Sequence, residues 1–414
     1  MHNTNLFKDP TRVAGARLIA VAAASLALTA CGGSGGGSAG GGGAPITADT
    51  AVIATSGTDF GSNKIELVDL GEEGDMTIMP LDNTATDAGI AVDTKGSDFY
   101  RIEQFQADRI NKFSLDEPNT KIWGEGGYSA LAQGEQGSAN PYQLVFASDT
   151  KAYLLRYGKQ DAWIVDPSAA TEDEFWTDEV LDLSAYTPDG APAPRMSAGV
   201  IVDGRLFITL QRLDAAFDPA NTSCVAVFDV ANNQPIATDE PPDDACGDGI
   251  ALNGRNPADI QFQPGIGLLV QNTGDTFPVN TEFSGVDVIN PDTYEVSTLV
   301  TATEETGIVD DVAVVDDDNG YFIGYQGTND SFITIADLRR FDPATGEIDP
   351  DPVAGLTSLD LRDLAVGPAG LLWIANADLG NPRIDLLEPG MDLISNSIAT
   401  ELLPSGIDFA TAAP

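Results

Sequence analysis

A unit of four short β-type segments recurs along this chain with a period of about fifty residues, and the last copy is divided between the two ends. A single unit of that size cannot bury its own apolar face, so copies must stack on one another, in a line or in a ring. The first segments are GIAVD (Gly89–Asp93), YQLVF (Tyr142–Phe146), AGVIV (Ala198–Val202), ADIQF (Ala258–Phe262), DVAVV (Asp311–Val315), DLAVG (Asp363–Gly367) and GIDFA (Gly406–Ala410). In all but the last, a second segment follows a tight turn, as in RLFITLQ (Arg205–Gln211), GLLVQN (Gly267–Asn272) and LLWIAN (Leu371–Asn376). Third segments such as VAVFDV (Val225–Val230) and VDVINP (Val286–Pro291) alternate and end on an acid or a turn signal. Weaker fourth segments, such as Glu179–Tyr186 and Tyr294–Val300, close the unit.

Short β-branched and aromatic runs bounded by Gly, Pro, Asn and Asp read as strands. Pairs such as Asp203-Gly204 accept positive φ and join neighbouring strands tightly. No apolar 3.6-residue period persists after the N-terminal segment, so the expected fold is all-β. GIDFA has no second strand after it. Its missing partners stand at the other end, as AVIATSG (Ala51–Gly57), KIELVDL (Lys64–Leu70) and MTIMPL (Met76–Leu81). One sheet built from both termini would close the repeats into a ring, which leaves only short, protected edges. The expectation is a seven-bladed β-propeller of four-stranded antiparallel blades over residues 48–414. The weakest fourth strand is in the blade that holds Asn119–Tyr128.

Residues 1–30 read as a targeting segment. Lys8, Arg12 and Arg17 precede the apolar run Leu18–Ala30, which is too short to span a bilayer. The run ends in Leu28-Thr29-Ala30-Cys31, which resembles the lipobox of bacterial lipoproteins. That resemblance implies cleavage before Cys31, lipidation of its thiol with palmitate among the acyl chains, and, with Gly32 next, delivery to the outer membrane. An ordinary secretory signal cut near Ala30 is the plainer alternative. Residues 31–47 then form a Gly/Ser-rich tether, whose Gly32–Gly43 stretch has a reach of roughly 20 Å.

Composition narrows the chemistry. The chain has 64 acidic and 20 basic residues, a formal charge of −44. Such a balance argues against nucleic acid or anionic lipid as a partner of the folded part. The only histidine is His2, inside the targeting segment. A mature chain without histidine has no Ser-His-Asp triad, no His-ligated zinc or copper and no c-type haem. Cys224 and Cys246, an even pair in an exported chain, are expected to form a disulfide that staples the Pro/Asp-rich insertion between them.

Candidate site residues lie where the first strands begin, because these positions converge on the central channel. They are Asn140, Arg195, Arg255, Asn256, Asp310, Arg362 and Asp363, with Asn376 at a second-strand end. They would either bond neighbouring blades or form a channel-mouth site for a small polar ligand or a Ca²⁺ ion. The three arginines would clamp a carboxylate or pair with local acids. No motif requires a cofactor. Asp316-Asp317-Asp318-Asn319-Gly320 is rich in hard oxygen ligands but lacks the spacing of a calcium loop, and reads as a hairpin turn.

Several second-to-third strand segments resemble the YVTN repeat family, which includes YncE-like seven-bladed propellers. In Leu371–Gly390 an apolar strand is followed by Asn376, a short loop and an alternating strand ending in acid. Leu268–Asp275 with Val286–Val296 follows the same plan around Asn272, whereas Tyr321–Ile348 carries Gln326 instead. The resemblance implies ligand or partner binding and supplies no catalytic residues. The resulting expectation is a lipid-anchored, non-catalytic envelope module for a protein, glycan or small ligand. The alternative is a Ca²⁺-dependent hydrolase or lactonase with acids at the channel mouth.

Overall fold

The computed structural model describes residues 50–58, 62–70, 76–79, 81, 84–238, 245–276, 278–329 and 333–410. The targeting segment, Cys31 and the tether lie outside the described residues. Seven antiparallel sheets follow one another around a ring. Blade 1 is the composite one: Leu403–Ala410 lies innermost, followed outward by Thr50–Ser56, Asn63–Asp69 and Thr77–Met79. The pairing runs from Thr50↔Ala410 to Ser56↔Leu403 with one bulge. The closure expected from the divided repeat is therefore present.

Blades 2 to 7 follow in chain order, and their inner strands are Ile90–Lys95, Pro141–Ser148, Met196–Val202, Pro257–Gln263, Ile308–Asp316 and Leu361–Val366. Blade 6 differs from the expected pattern. It has three strands, and only the isolated bridges Ala336↔Leu359 and Phe341↔Ile348 mark where a fourth would run. Its outer segment Asp349–Ser358 includes Pro350 and Pro352, which cannot donate to a ladder. The fourth strand of blade 2 is only Tyr128–Ser129. In blade 3 the fourth strand is Trp176–Asp182, shifted toward the N-terminus from the expected span.

The core is divided like the ring. Seven buried apolar clusters each lie between two neighbouring blades. One joins Tyr100 and Ile102 of blade 2 to Leu154 and Trp163 of blade 3. Another joins Trp373 and Leu386 of blade 7 to Ile53 and Ile407 of blade 1. Alternation along each strand produces this arrangement, since successive side chains enter the two flanking clusters. Trp123, Trp163 and Trp373 are buried in these clusters. Asp203-Gly204 turns the first hairpin of blade 4 with both φ values positive, 49° and 74°. Asp316–Asn319 is likewise a hairpin turn, in which the Asp316 carboxylate accepts from the Asp318 N–H and the Asn319 amide.

Cys224 and Cys246 form the expected disulfide. It ties the start of the third strand of blade 4 to the residues just before its two-residue fourth strand, Ile250–Ala251. Closing a loop with a sequence separation of 22 removes unfolded-chain freedom. That contributes about 3 kcal/mol by the chain-entropy relation.

Candidate functional site at the channel mouth

An inner strand at a sheet edge presents unpaired backbone groups, which must be satisfied or covered. Here one side chain from each blade reaches the backbone of the next. Asp408 accepts the Thr94 N–H at 2.8 Å, Asp93 the Leu144 N–H at 2.6 Å, and Gln143 the Gly199 N–H at 2.8 Å. Ser197 donates to the Pro257 carbonyl and Gln261 to the Val312 carbonyl, both at 2.7 Å. Asp311 accepts the Leu364 N–H at 2.6 Å and Asp363 the Ile407 N–H at 2.8 Å. Every joint of the ring is linked in this way. In the sequence, the signal is a polar residue within each inner strand, although Pro257–Gln263 and Ile308–Asp316 carry more than one.

The same ring brings carboxylates together around the channel. Burial pushes Asp259, Asp310 and Asp408 up to about 6. Asp93, Asp311 and Asp363 are also raised well above the usual carboxylate range, first by burial and then by neighbouring carboxylates, although each also accepts a backbone N–H that opposes the rise. Among the described residues, no three acidic, histidine or cysteine side chains are placed to share one metal ion.

Inner-strand starts lie beside second-strand ends, as in Pro141↔Arg156, Met196↔Leu210 and Pro257↔Asn272. Asn140, Arg195 and Asn256 occupy one structural position in three successive blades. All are left-handed, with φ of 47°, 64° and 57°. Their carbonyls accept the N–H groups of Tyr157, Gln211 and Thr273 just past the paired strand. The likeness of Asn140-Pro141 to Asn256-Pro257 is therefore a repeated local geometry.

The other candidates separate into two sets. Arg362 makes a two-pronged bond to Asp360 at 2.9 and 2.8 Å and reaches Ser56 of blade 1 at 3.2 Å. Asp363 is the ring acceptor described above, and Asp310 is buried near Asp360. Asn376 is fully buried, donating to Asp385 at 2.9 Å. Arg362, Asp363 and Asn376 are engaged within the protein. Arg195 and Arg255 instead flank one loop, residues 213–222 of blade 4. The Arg195 guanidinium lies over the Tyr157 ring at 5.0 Å and the Phe217 ring at 4.4 Å. Arg255 lies over Phe283 at 3.9 Å and donates to the Pro219 carbonyl at 3.2 Å.

Aromatic residues at this corner were not foreseen from the sequence. Tyr142 stacks on Tyr157 with ring centres 4.4 Å apart, and the Tyr157 hydroxyl donates to Gln211 at 2.8 Å. Burial pushes the Tyr157 hydroxyl up to about 12, against the opposing effect of Arg195. Phe217 and Phe283 are exposed on long second-to-third strand loops, as are Phe105 and Leu379 on the corresponding loops of blades 2 and 7. The signal available was Phe217 standing alone in the polar insertion Asp214–Ser223. A separate groove of about 670 Å³ lies at the periphery, between Tyr294, Val296 and Gly249, away from the mouth.

No family model matches the chain. No curated protein is similar to it at a meaningful level. Solved structures share its fold. A candidate 6-phosphogluconolactonase from Bacteroides uniformis is 16% identical, over 87% of this chain and 100% of that one, with a TM-score of 0.56. A candidate 6-phosphogluconolactonase from Bacteroides fragilis is 15% identical, over 89% and 100%, with a TM-score of 0.53. Apo AztD from Citrobacter koseri is 13% identical, over 87% and 96%, with a TM-score of 0.47. At these identities the likeness shows the fold alone. The chain is a seven-bladed β-propeller.

Proposed function

We propose that this chain is a lipid-anchored envelope propeller that binds a small ligand, glycan or protein at its channel mouth without transforming it. The observation that carries the reading is the corner formed by Tyr142, Tyr157, Arg195, Phe217, Arg255 and Phe283. Exposed rings and cationic forks there are suited to contact. The lipobox at Leu28–Cys31 and the tether after it support anchoring through Cys31 at the outer membrane. The YVTN-like plan around Asn272 and Asn376 supports placement among YncE-like binding propellers.

A second reading, a Ca²⁺-dependent hydrolase or lactonase, draws on the crowding of Asp259, Asp310, Asp311 and Asp363 around the channel. One experiment addresses both readings. A Cys31→Ser chain should leave the membrane fraction, and it should then bind a component of envelope extract saturably and return it unchanged. Continued membrane fractionation would contradict the anchor. Calcium-dependent consumption of an extract ester or lactone would replace the binding reading with the second one.

A further inference from the structure

Arg195 differs from every other basic residue in the described part of the chain. Most lysines and arginines there pair with a carboxylate, as Arg101 does with Glu103, Arg156 with Asp161 and Arg383 with Asp385. Arg109, Lys151 and Arg255 donate to backbone carbonyls, and so does Arg212. Arg195 does neither. It is only 7% exposed, and its buried Nε has no hydrogen-bond partner. Its only side-chain contacts of a polar kind are the faces of Tyr157 and Phe217.

A buried guanidinium without a counter-ion is costly, and stacking on two rings offsets only part of the cost. In a chain carrying 64 acids against 20 bases, leaving this cation without a carboxylate is conspicuous. Asp214, on the loop that carries Phe217, does not supply one: its Oδ1 accepts the N–H groups of Ala216 and Asp218. The two orphan amide oxygens Asn140 Oδ1 and Asn256 Oδ1, in the equivalent positions of the flanking blades, add acceptors without donors to the same rim.

We propose that Arg195 is the anchor for a small organic carboxylate, whose two oxygens take the free edge of the guanidinium and whose apolar body lies against Phe217. A planar fork matches a carboxylate in two-pronged geometry, and the two ring faces help to fix its orientation. Exposure of the Phe217 ring leaves an apolar surface next to the charge. This inference rests on the channel mouth being the binding face.

The test is a titration of the intact folded chain with benzoate, followed by thermal shift and calorimetry, with neutral benzamide and inorganic phosphate as comparisons. Benzoate is expected to bind saturably and benzamide not to bind. R195Q is expected to weaken benzoate at least tenfold. F217A, which removes one of the two rings over the guanidinium, should weaken it several-fold while keeping a cooperative melt; this variant preserves the test if R195Q does not fold. Absence of benzoate binding, equal binding in R195Q, equal binding of benzamide, or a preference for phosphate would each overturn the proposal. Envelope-extract binding that survives in R195Q would remove this inference alone and leave the channel-mouth reading in place.

Discussion

A chain lacking residues 403–414 is expected to lose its cooperative thermal transition. The deletion removes the inner strand of blade 1 and leaves Thr50–Ser56 as a bare edge. It takes Ile407 out of the cluster between blades 7 and 1, and Ala410 out of the cluster between blades 1 and 2. Two ring links go as well. Asp363 loses the Ile407 N–H, and the Thr94 N–H loses Asp408. Burying each large apolar side chain contributes roughly 1.5–3 kcal/mol, and an unsatisfied buried polar group costs about 1–3 kcal/mol. Together these losses are comparable with the whole stability of a domain, about 5–15 kcal/mol. A circular-dichroism melt reads the effect. A melting temperature equal to that of the intact chain would mean that the ring does not close through its termini.

The second large effect is on pH. Native carboxyls held above the usual range keep protons that the unfolded chain gives up, so stability falls as pH rises from about 4 through their folded values. The groups are Asp259, Asp310 and Asp408, at about 6, with Asp93, Asp311 and Asp363 also raised well above the usual range. A rise from 3.8 to about 6 corresponds to roughly 3 kcal/mol lost per group on ionisation, an upper figure where neighbours are coupled. The chain should therefore melt on the order of 10 °C lower at pH 8 than at pH 5, taking a few degrees per kcal/mol. Asp363→Asn separates this effect from general surface repulsion. Asparagine keeps an oxygen for the Ile407 N–H and removes the charge facing Asp311, Asp259 and Asp408. It should raise the melting temperature at pH 8 and leave it unchanged at pH 5, whereas Asp363→Ala should lower it at both. A flat pH profile, or an Asp363→Asn chain no more stable at pH 8, would mean that these carboxylates are not jointly buried.

The architecture was legible in the sequence because its determinants are local and repeated. Strand alternation, the Asp203-Gly204 turn and the orphan first strand at Gly406–Ala410 each point to the same ring. The one departure, the three-stranded blade 6, falls where Pro350 and Pro352 interrupt the outer segment. The candidate site was legible only in part. Blade-start residues were placed at the mouth, but how each is engaged depends on partners near and distant in sequence. Arg362 is held by Asp360 and by Ser56 from the opposite end of the chain. Arg195 is set by Tyr157 of the preceding blade and by Phe217 from a loop. The local pattern carries part of the difference: Arg362 has Asp360 two residues away, whereas residues 190–200 around Arg195 hold no acid. The inner-strand carboxylates had a visible regularity, since Asp93, Asp311, Asp363 and Asp408 recur in the first strands. Their joint role required the third dimension, because each reaches the backbone of a different blade.

The central claim is that the channel mouth, and not the blade periphery, is the working face of this ring. Amide hydrogen exchange on the folded chain, with and without envelope extract, tests it most directly. The account predicts added protection confined to residues 139–142, 156–158, 194–196, 211–222 and 273–284. Protection centred instead on the outer strands, such as Val296–Thr301 beside the peripheral groove, would contradict it.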